Sequence, residues 1–139
     1  MKKDSFMPRG IRNNNPGNIK ESPYDKTVWL GERATNDDPI FEEFDSAVYG
    51  IRALTKIIKN YRALYSLSTI EQIISRYAPG SENDTENYIK FVSSCMSKPR
   101  NQPLNFTVDL VPLVKAIIRF ENGIQPYSDT TIKTGISLA

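Results

Sequence analysis

The chain has 139 residues, 39% of them apolar and 24% charged, with a formal net charge of +2: the size and balance of one folded globular unit. Histidine is absent and cysteine occurs once, which excludes Ser-His-Asp and Cys-His catalysis, imidazole metal sites and an internal disulfide, so any chemistry rests on carboxylates. The small positive balance, with no basic run interleaved with aromatics, carries no nucleic-acid footprint, and no apolar run reaches the roughly 18 residues of a membrane span.

The opening MKKDSFMPRG has two lysines but no apolar stretch behind them, so it does not read as a secretory signal, and synthesis in the cytoplasm is the expectation. Residues 8–46 are rich in Pro, Gly, Asn and Asp, with short pieces at Thr27–Leu30 and Ile40–Phe44, and predict loops with a small irregular β-region. Within them Asn13-Asn14-Asn15-Pro16-Gly17-Asn18 is a dense turn signal, because Asn tolerates positive φ and Pro fixes it. It reads equally as a surface turn or a functional loop.

Residues 47–123 read as helical. Val48, Ile51, Leu54, Ile58, Tyr61 and Tyr65 recur at three- and four-residue steps, predicting a helix from about Ser46 to Leu64 with one buried face and Asp45 or Ser46 as N-cap. Ser68-Thr69-Ile70-Glu71 has the form of a capping box for a helix reaching Tyr77, which Ala78-Pro79-Gly80 stops. Asp84 caps a third helix with Tyr88, Phe91, Val92 and Cys95 on one face, which makes Cys95 a core thiol. The last helix starts at Thr107 or Asp109 with Pro112 in its first turn, and Gly123 suits the left-handed position after its end. Residues 128–139, rich in Ser and Thr, predict a flexible tail.

The last helix ends in Glu121 after Leu113, Val114, Ile117, Ile118 and Phe120. Partial desolvation among these side chains and the negative end of the helix dipole both favour a protonated carboxyl, the form a general acid needs. Position alone favours a solvated helix-end acid paired with Arg119 or a lysine. Glu32, Asp37, Asp38, Glu42 and Glu43 are the candidates for a second carboxylate, with Glu32 first. Each also reads as a surface acid.

Arg9 to Ile19 (RGIRNNNPGNI), Trp29-x-Gly31, Phe41-x-x-Phe44-Asp45-Ser46, Gly50-Ile51-Arg52-Ala53-Leu54 and Arg76-Tyr77-Ala78-Pro79-x-x-Glu82-Asn83-x-Thr85-x-x-Tyr88, in that order, resemble a family of phage and prophage virion structural or endolysin-like proteins. Part of this set, Asn14-Asn15-Pro16-Gly17-Asn18-Ile19, Trp29-x-Gly31, Phe44-Asp45-Ser46 and Tyr77-Ala78-Pro79, also resembles the glucosaminidase family of autolysins and flagellar muramidases. In that family a helix ending in the catalytic glutamate precedes the Asn-rich segment. Here the 13 residues before Asn14 hold no glutamate, and the matching helix is the one that ends at Glu121.

The resemblance therefore implies a mainly α (α+β), lysozyme-like single domain, circularly permuted, that cleaves MurNAc–GlcNAc strands by muramidase or lytic transglycosylase chemistry. It needs no metal and no cofactor. Glu121 would be the acid and Glu32 a second carboxylate. Asn14, Asn15, Asn18, Trp29, Tyr77, Glu82, Asn83 and Tyr127 would bind sugar, through amides to hydroxyls and N-acetyl groups and rings against sugar faces. The implied partners are peptidoglycan strands and other virion components, with neither nucleic acid nor membrane. The action would fall in the periplasm or wall after virion delivery or holin-type release. A virion or secretion-system structural protein that binds glycan without cutting it is the alternative.

Overall fold

A mainly α fold is what the computed structural model has; it describes residues 7–22, 27–80 and 84–139. Among these lie six helices: α1 (Arg9–Arg12), α2 (Ala47–Tyr65), α3 (Ile70–Tyr77), α4 (Asp84–Met96), α5 (Leu110–Asn122) and α6 (Asp129–Ser137). The most apolar of them, α5, sits at the centre and touches α1, α2, α4 and α6. Its Leu113, Val114, Ile117 and Ile118 are fully buried and meet Ile51, Leu54 and Ile58 of α2 and Ile70, Ile73 and Ile74 of α3 in one core. Truncating any one of these to alanine removes about 2–5 kcal/mol, so the core fixes α5 firmly.

Before α2 the chain has almost no regular structure, and side-chain amides take over the role of a sheet. Only two isolated antiparallel bridges join it among the described residues, Lys20 with Phe41 and Glu32 with Phe44. Asn15 is fully buried, donates to the carbonyls of Ile19 (2.9 Å) and Glu42 (3.0 Å), and accepts from the Ile19 amide (3.0 Å). Asn14 donates to the Phe44 carbonyl at 3.1 Å, and the Phe44 amide returns to the Asn13 carbonyl at 2.9 Å. Asn14 and Asn18 both have φ of 53°, a conformation their short polar side chains tolerate. A small second core of Ile19, Phe44 and Ala53, flanked by Trp29, Tyr49 and Ile57, seats this region on α2.

Three expectations need correcting. Residues 128–139 are not a flexible tail: Ser128 caps α6 by accepting from the Thr131 amide, and Ile132 and Gly135 are buried where α6 packs along α2. With only Ile132, Ile136 and Leu138 strongly apolar in the segment, its periodicity is too thin to register. Cys95 is exposed rather than core, because the buried stripe of α4 runs through Tyr88, Ile89 and Val92. The capping box sits one residue later than expected, with Thr69 accepting from the Gln72 amide at 3.1 Å and Gln72 accepting from the amides of Ser68 and Thr69. Both registers satisfy the motif, and the burial of Ile70, Ile73 and Ile74 selects this one.

Candidate active site

The end of α5 forms one wall of a cleft of about 690 Å³. Gly123 closes the helix in the left-handed conformation (φ 76°), and Glu121 stands in the last turn. Facing it are Gly17, Asn18, Ile19 and Lys20 from the Asn-rich loop, Ile57 and Tyr61 from α2, Tyr77, Ala78 and Pro79 from the end of α3, and Asp84, Thr85 and Tyr88 from the start of α4. With Phe41, these residues bring the Asn-rich loop, the stretch before α2, α2 itself and the α3–α4 junction onto one carboxyl.

Two donors hold that carboxyl. Asn18 donates to Oε1 at 2.9 Å and the Tyr88 hydroxyl donates to Oε2 at 2.8 Å. Tyr88 is itself placed by stacking on Phe120 of α5, with ring centroids 3.9 Å apart, so the helix that carries the acid also carries the support for its partner. Burial pushes the Glu121 carboxyl above the ordinary glutamate range, while the hydrogen bonds from Asn18 and Tyr88 and the charge of Lys20 pull it back without cancelling the shift. Its environment is desolvated and partly compensated, a setting that favours the protonated form of a carboxylic acid. The phenols nearby stay neutral: burial, and then the charge of Glu121, hold both Tyr77 and Tyr88 well above the usual tyrosine range. Tyr77 donates to the Gly17 carbonyl and ties α3 to the loop.

Gly10 secures the same junction from behind. A methyl group there would lie 2.6 Å from Asn18 Oδ1, 2.6 Å from Asn122 Oδ1 and 2.8 Å from the Asn15 carbonyl oxygen. Those two side-chain oxygens have no hydrogen-bond donor among the described residues, and only a residue without a Cβ fits against them. Asn122 meanwhile donates to the Pro16 carbonyl at 2.8 Å, clamping α5 to the loop.

Of the residues expected at the site, Glu121, Asn18 and Tyr77 come together on this cleft. Glu32 does not line it: its carboxylate accepts from the Trp29 amide at 3.0 Å and closes a tight turn. Trp29 packs beside the second core, and Asn14 and Asn15 tie the loop to the Glu42 and Phe44 backbone instead of facing the cleft. Tyr127 packs against the main core, its hydroxyl without a partner among the described residues and its pKa pushed up to about 12 by burial. Glu82 and Asn83 lie outside the described residues.

Of the other acids, Glu43 accepts from Arg33 at 2.7 Å and from the Asp37 and Asp38 amides, and Asp37, Asp38 and Glu43 line a separate small hollow. Asp38 is held well below the usual carboxylate range, since hydrogen bonds from Arg9, the amides of Phe41 and Ile40, and Asn13 outweigh the opposing effect of its burial. Sequence reasoning missed Tyr88, which has the spacing of an ordinary core aromatic; it also missed Lys20, Tyr61 and Thr85. Asp84 registered only as a cap. Among the described residues no cluster of three or more Cys, Asp or Glu is arranged to hold a metal ion, and no helix is long and apolar enough to cross a membrane.

Fold and cleft define a mainly α protein with one desolvated carboxyl at the end of its central helix. No protein-family model matches the sequence. It is 49% identical over 127 residues to Protein P5 of Pseudoalteromonas phage PM2, an alignment that covers 91% of this chain and 79% of that one. The chain belongs to the family of this bacteriophage protein.

Proposed function

We propose that the protein cuts the glycan strands of peptidoglycan at the MurNAc–GlcNAc bond, serving phage entry or host lysis. The observation that carries this reading is the Glu121 carboxyl, raised by burial and aimed into a cleft with amide and phenol groups on its walls. In the reaction Glu121 gives its proton to the glycosidic oxygen as the bond to the anomeric carbon breaks. The resulting carboxylate then takes a proton from the oxygen that attacks the anomeric carbon, and Tyr88 and Asn18 stabilise that anionic stage. Such an acid contributes about 10²- to 10⁴-fold to the rate.

The cleft favours chemistry with one desolvated acid, since the other carboxylate on its described walls, Asp84, is exposed. A lytic transglycosylase, in which the 6-hydroxyl of the muramic acid sugar attacks its own anomeric carbon, needs no second carboxyl placed for water. The position of Glu121 against the Asn14 to Asn18 loop also supports a permuted lysozyme-like arrangement, with the acid-bearing helix brought from the far end of the chain.

Zymography on purified wall with wild type and Glu121→Gln tests the reading. Clearing by wild type and its loss in the variant, with fold retained by circular dichroism, are expected. A wild type that binds wall without clearing it indicates the non-catalytic virion component instead. Anhydro-muropeptides among the products mark the transglycosylase, and reducing MurNAc ends the hydrolase.

A further inference from the structure

The cleft does not stop at Tyr61 and Pro79. These two residues are shared with a second hollow of about 670 Å³ whose other walls are Leu67, Gln72, Ser75 and Arg76. A ligand that fills the Glu121 cleft and extends past Pro79 therefore runs over α3.

Arg76 is among the arginines without an ion pair in the described residues, and it stands on the wall of this hollow. Arg9, Arg33 and Arg100 each hold carboxylates of this chain, whereas Arg76 has no carboxylate partner among the described residues. Two rings of α2 orient it instead: its guanidinium carbon lies 3.9 Å from the centre of the Tyr65 ring and 5.5 Å from that of Tyr61. Stacking leaves the in-plane N–H fork open, so the group is held in place while its donors remain available. A planar fork of this kind matches a carboxylate. Ser75 and Gln72 add neutral polar groups beside it.

We propose that this hollow is an anion-recognising subsite of the same cleft, in which Arg76 takes a free carboxylate of the peptide stem carried by the muramic acid sugar. The inference rests on the glycan-strand reading above and sharpens its substrate to strands that carry charged peptides. Tyr65 and Tyr61 act as positioning residues for Arg76, and Glu121 remains the acid.

The test compares two substrates, uncrosslinked peptide-bearing glycan strands and the same strands with their stem carboxylates capped as methylamides. Their binding to the Glu121→Gln protein is measured by calorimetry, and their turnover by the active protein. Arg76→Met in the Glu121→Gln background is expected to weaken binding of the charged strand about ten-fold or more, the weight of a charge-assisted contact, and to leave the capped strand unchanged. In the active protein the same substitution raises KM for the charged strand while kcat stays within about two-fold, the pattern of lost ground-state binding. Arg76→Lys restores part of the affinity. Equal affinity for charged and capped strands in the Arg76-containing protein overturns the subsite, as does an Arg76→Met effect of equal size on both. Inactivity of the wild type together with preference for the charged strand refutes the cleavage reading and leaves the subsite standing.

Discussion

Replacing Gly10 by alanine puts a methyl group into a space that does not exist. The new carbon would sit 2.6 Å from two side-chain oxygens and 2.8 Å from a backbone oxygen, and each must retreat by about half an ångström or more to reach ordinary contact. None is free to move. Asn18 is tied to Glu121, Asn122 to the Pro16 and Ile118 carbonyls, and the Asn15 carbonyl accepts from the Asn18 amide at 2.9 Å. Overpacking costs about 1–3 kcal/mol, and a displaced hydrogen bond adds about 1 kcal/mol, so about 3 kcal/mol of stability is at stake. For a chain of this length that lowers the melting temperature by about 10 °C, measured by calorimetry or circular dichroism.

Gly123→Ala is the matched control, since nothing lies within 4 Å of its added carbon and only the left-handed φ of 76° opposes it. That conformation costs about 1–2 kcal/mol, so a smaller loss of about 3–6 °C is expected. A Gly10→Ala protein that melts within about 3 °C of wild type, or no lower than the control, refutes the claim that Gly10 is packed against the carboxyl's support.

Three further outcomes follow from the same geometry. The raised Glu121 carboxyl favours the folded state in its protonated form, so its contribution is fully present below the ordinary glutamate value of 4.5 and is lost as pH rises through the higher folded value. The melting temperature of Glu121→Gln should therefore gain on that of wild type as pH is raised from about 4 to 8, and a constant difference across this range would contradict the desolvation argument. Tyr88→Phe removes a donor that favours the carboxylate, so the Glu121 value moves further up and the alkaline limb of the activity profile shifts to higher pH; a downward shift counts against the assigned role. Ile132→Ala, emptying a fully buried position on α6, should cost about 2–5 kcal/mol in denaturant melts, a loss that a flexible tail would not show.

The helical half of the molecule was readable because its cores repeat at helical spacing. Ile51, Leu54 and Ile58 on α2 and Leu113, Val114, Ile117 and Ile118 on α5 point to their buried faces without tertiary knowledge, and Gly123 marks where α5 ends. Glu121 could be singled out for the same reason, as a charged group closing an apolar helix. The half before α2 was legible only as turns. Its order comes from Asn15 and Asn14 bonding to backbone groups about 30 residues away, which no local pattern encodes. Trp29 and Glu32 belong to that network rather than to the cleft. Tyr88 escaped notice because a tyrosine that packs and a tyrosine that packs while donating to a carboxyl have the same spacing. The sparse α6 was missed because its burial depends on α2 rather than on its own composition.

Asn18 and Glu121 are 103 residues apart in the chain, and Pro16 and Asn122 are 106 apart. The carboxyl's desolvation, its two donors and the cleft itself arise only when the thirteen residues of α5 dock on a loop about a hundred residues earlier in the chain. A nascent chain that has emerged through α4 already has the loop, Tyr77 and Tyr88, yet lacks Glu121, the carboxyl that Asn18 and Tyr88 hold. Closing so long a loop also places the site among the slower-forming contacts of the fold. The candidate chemistry therefore needs the long-range docking of α5 as well as the local structure of the loop, so loss of that contact removes the site even where the helices themselves persist.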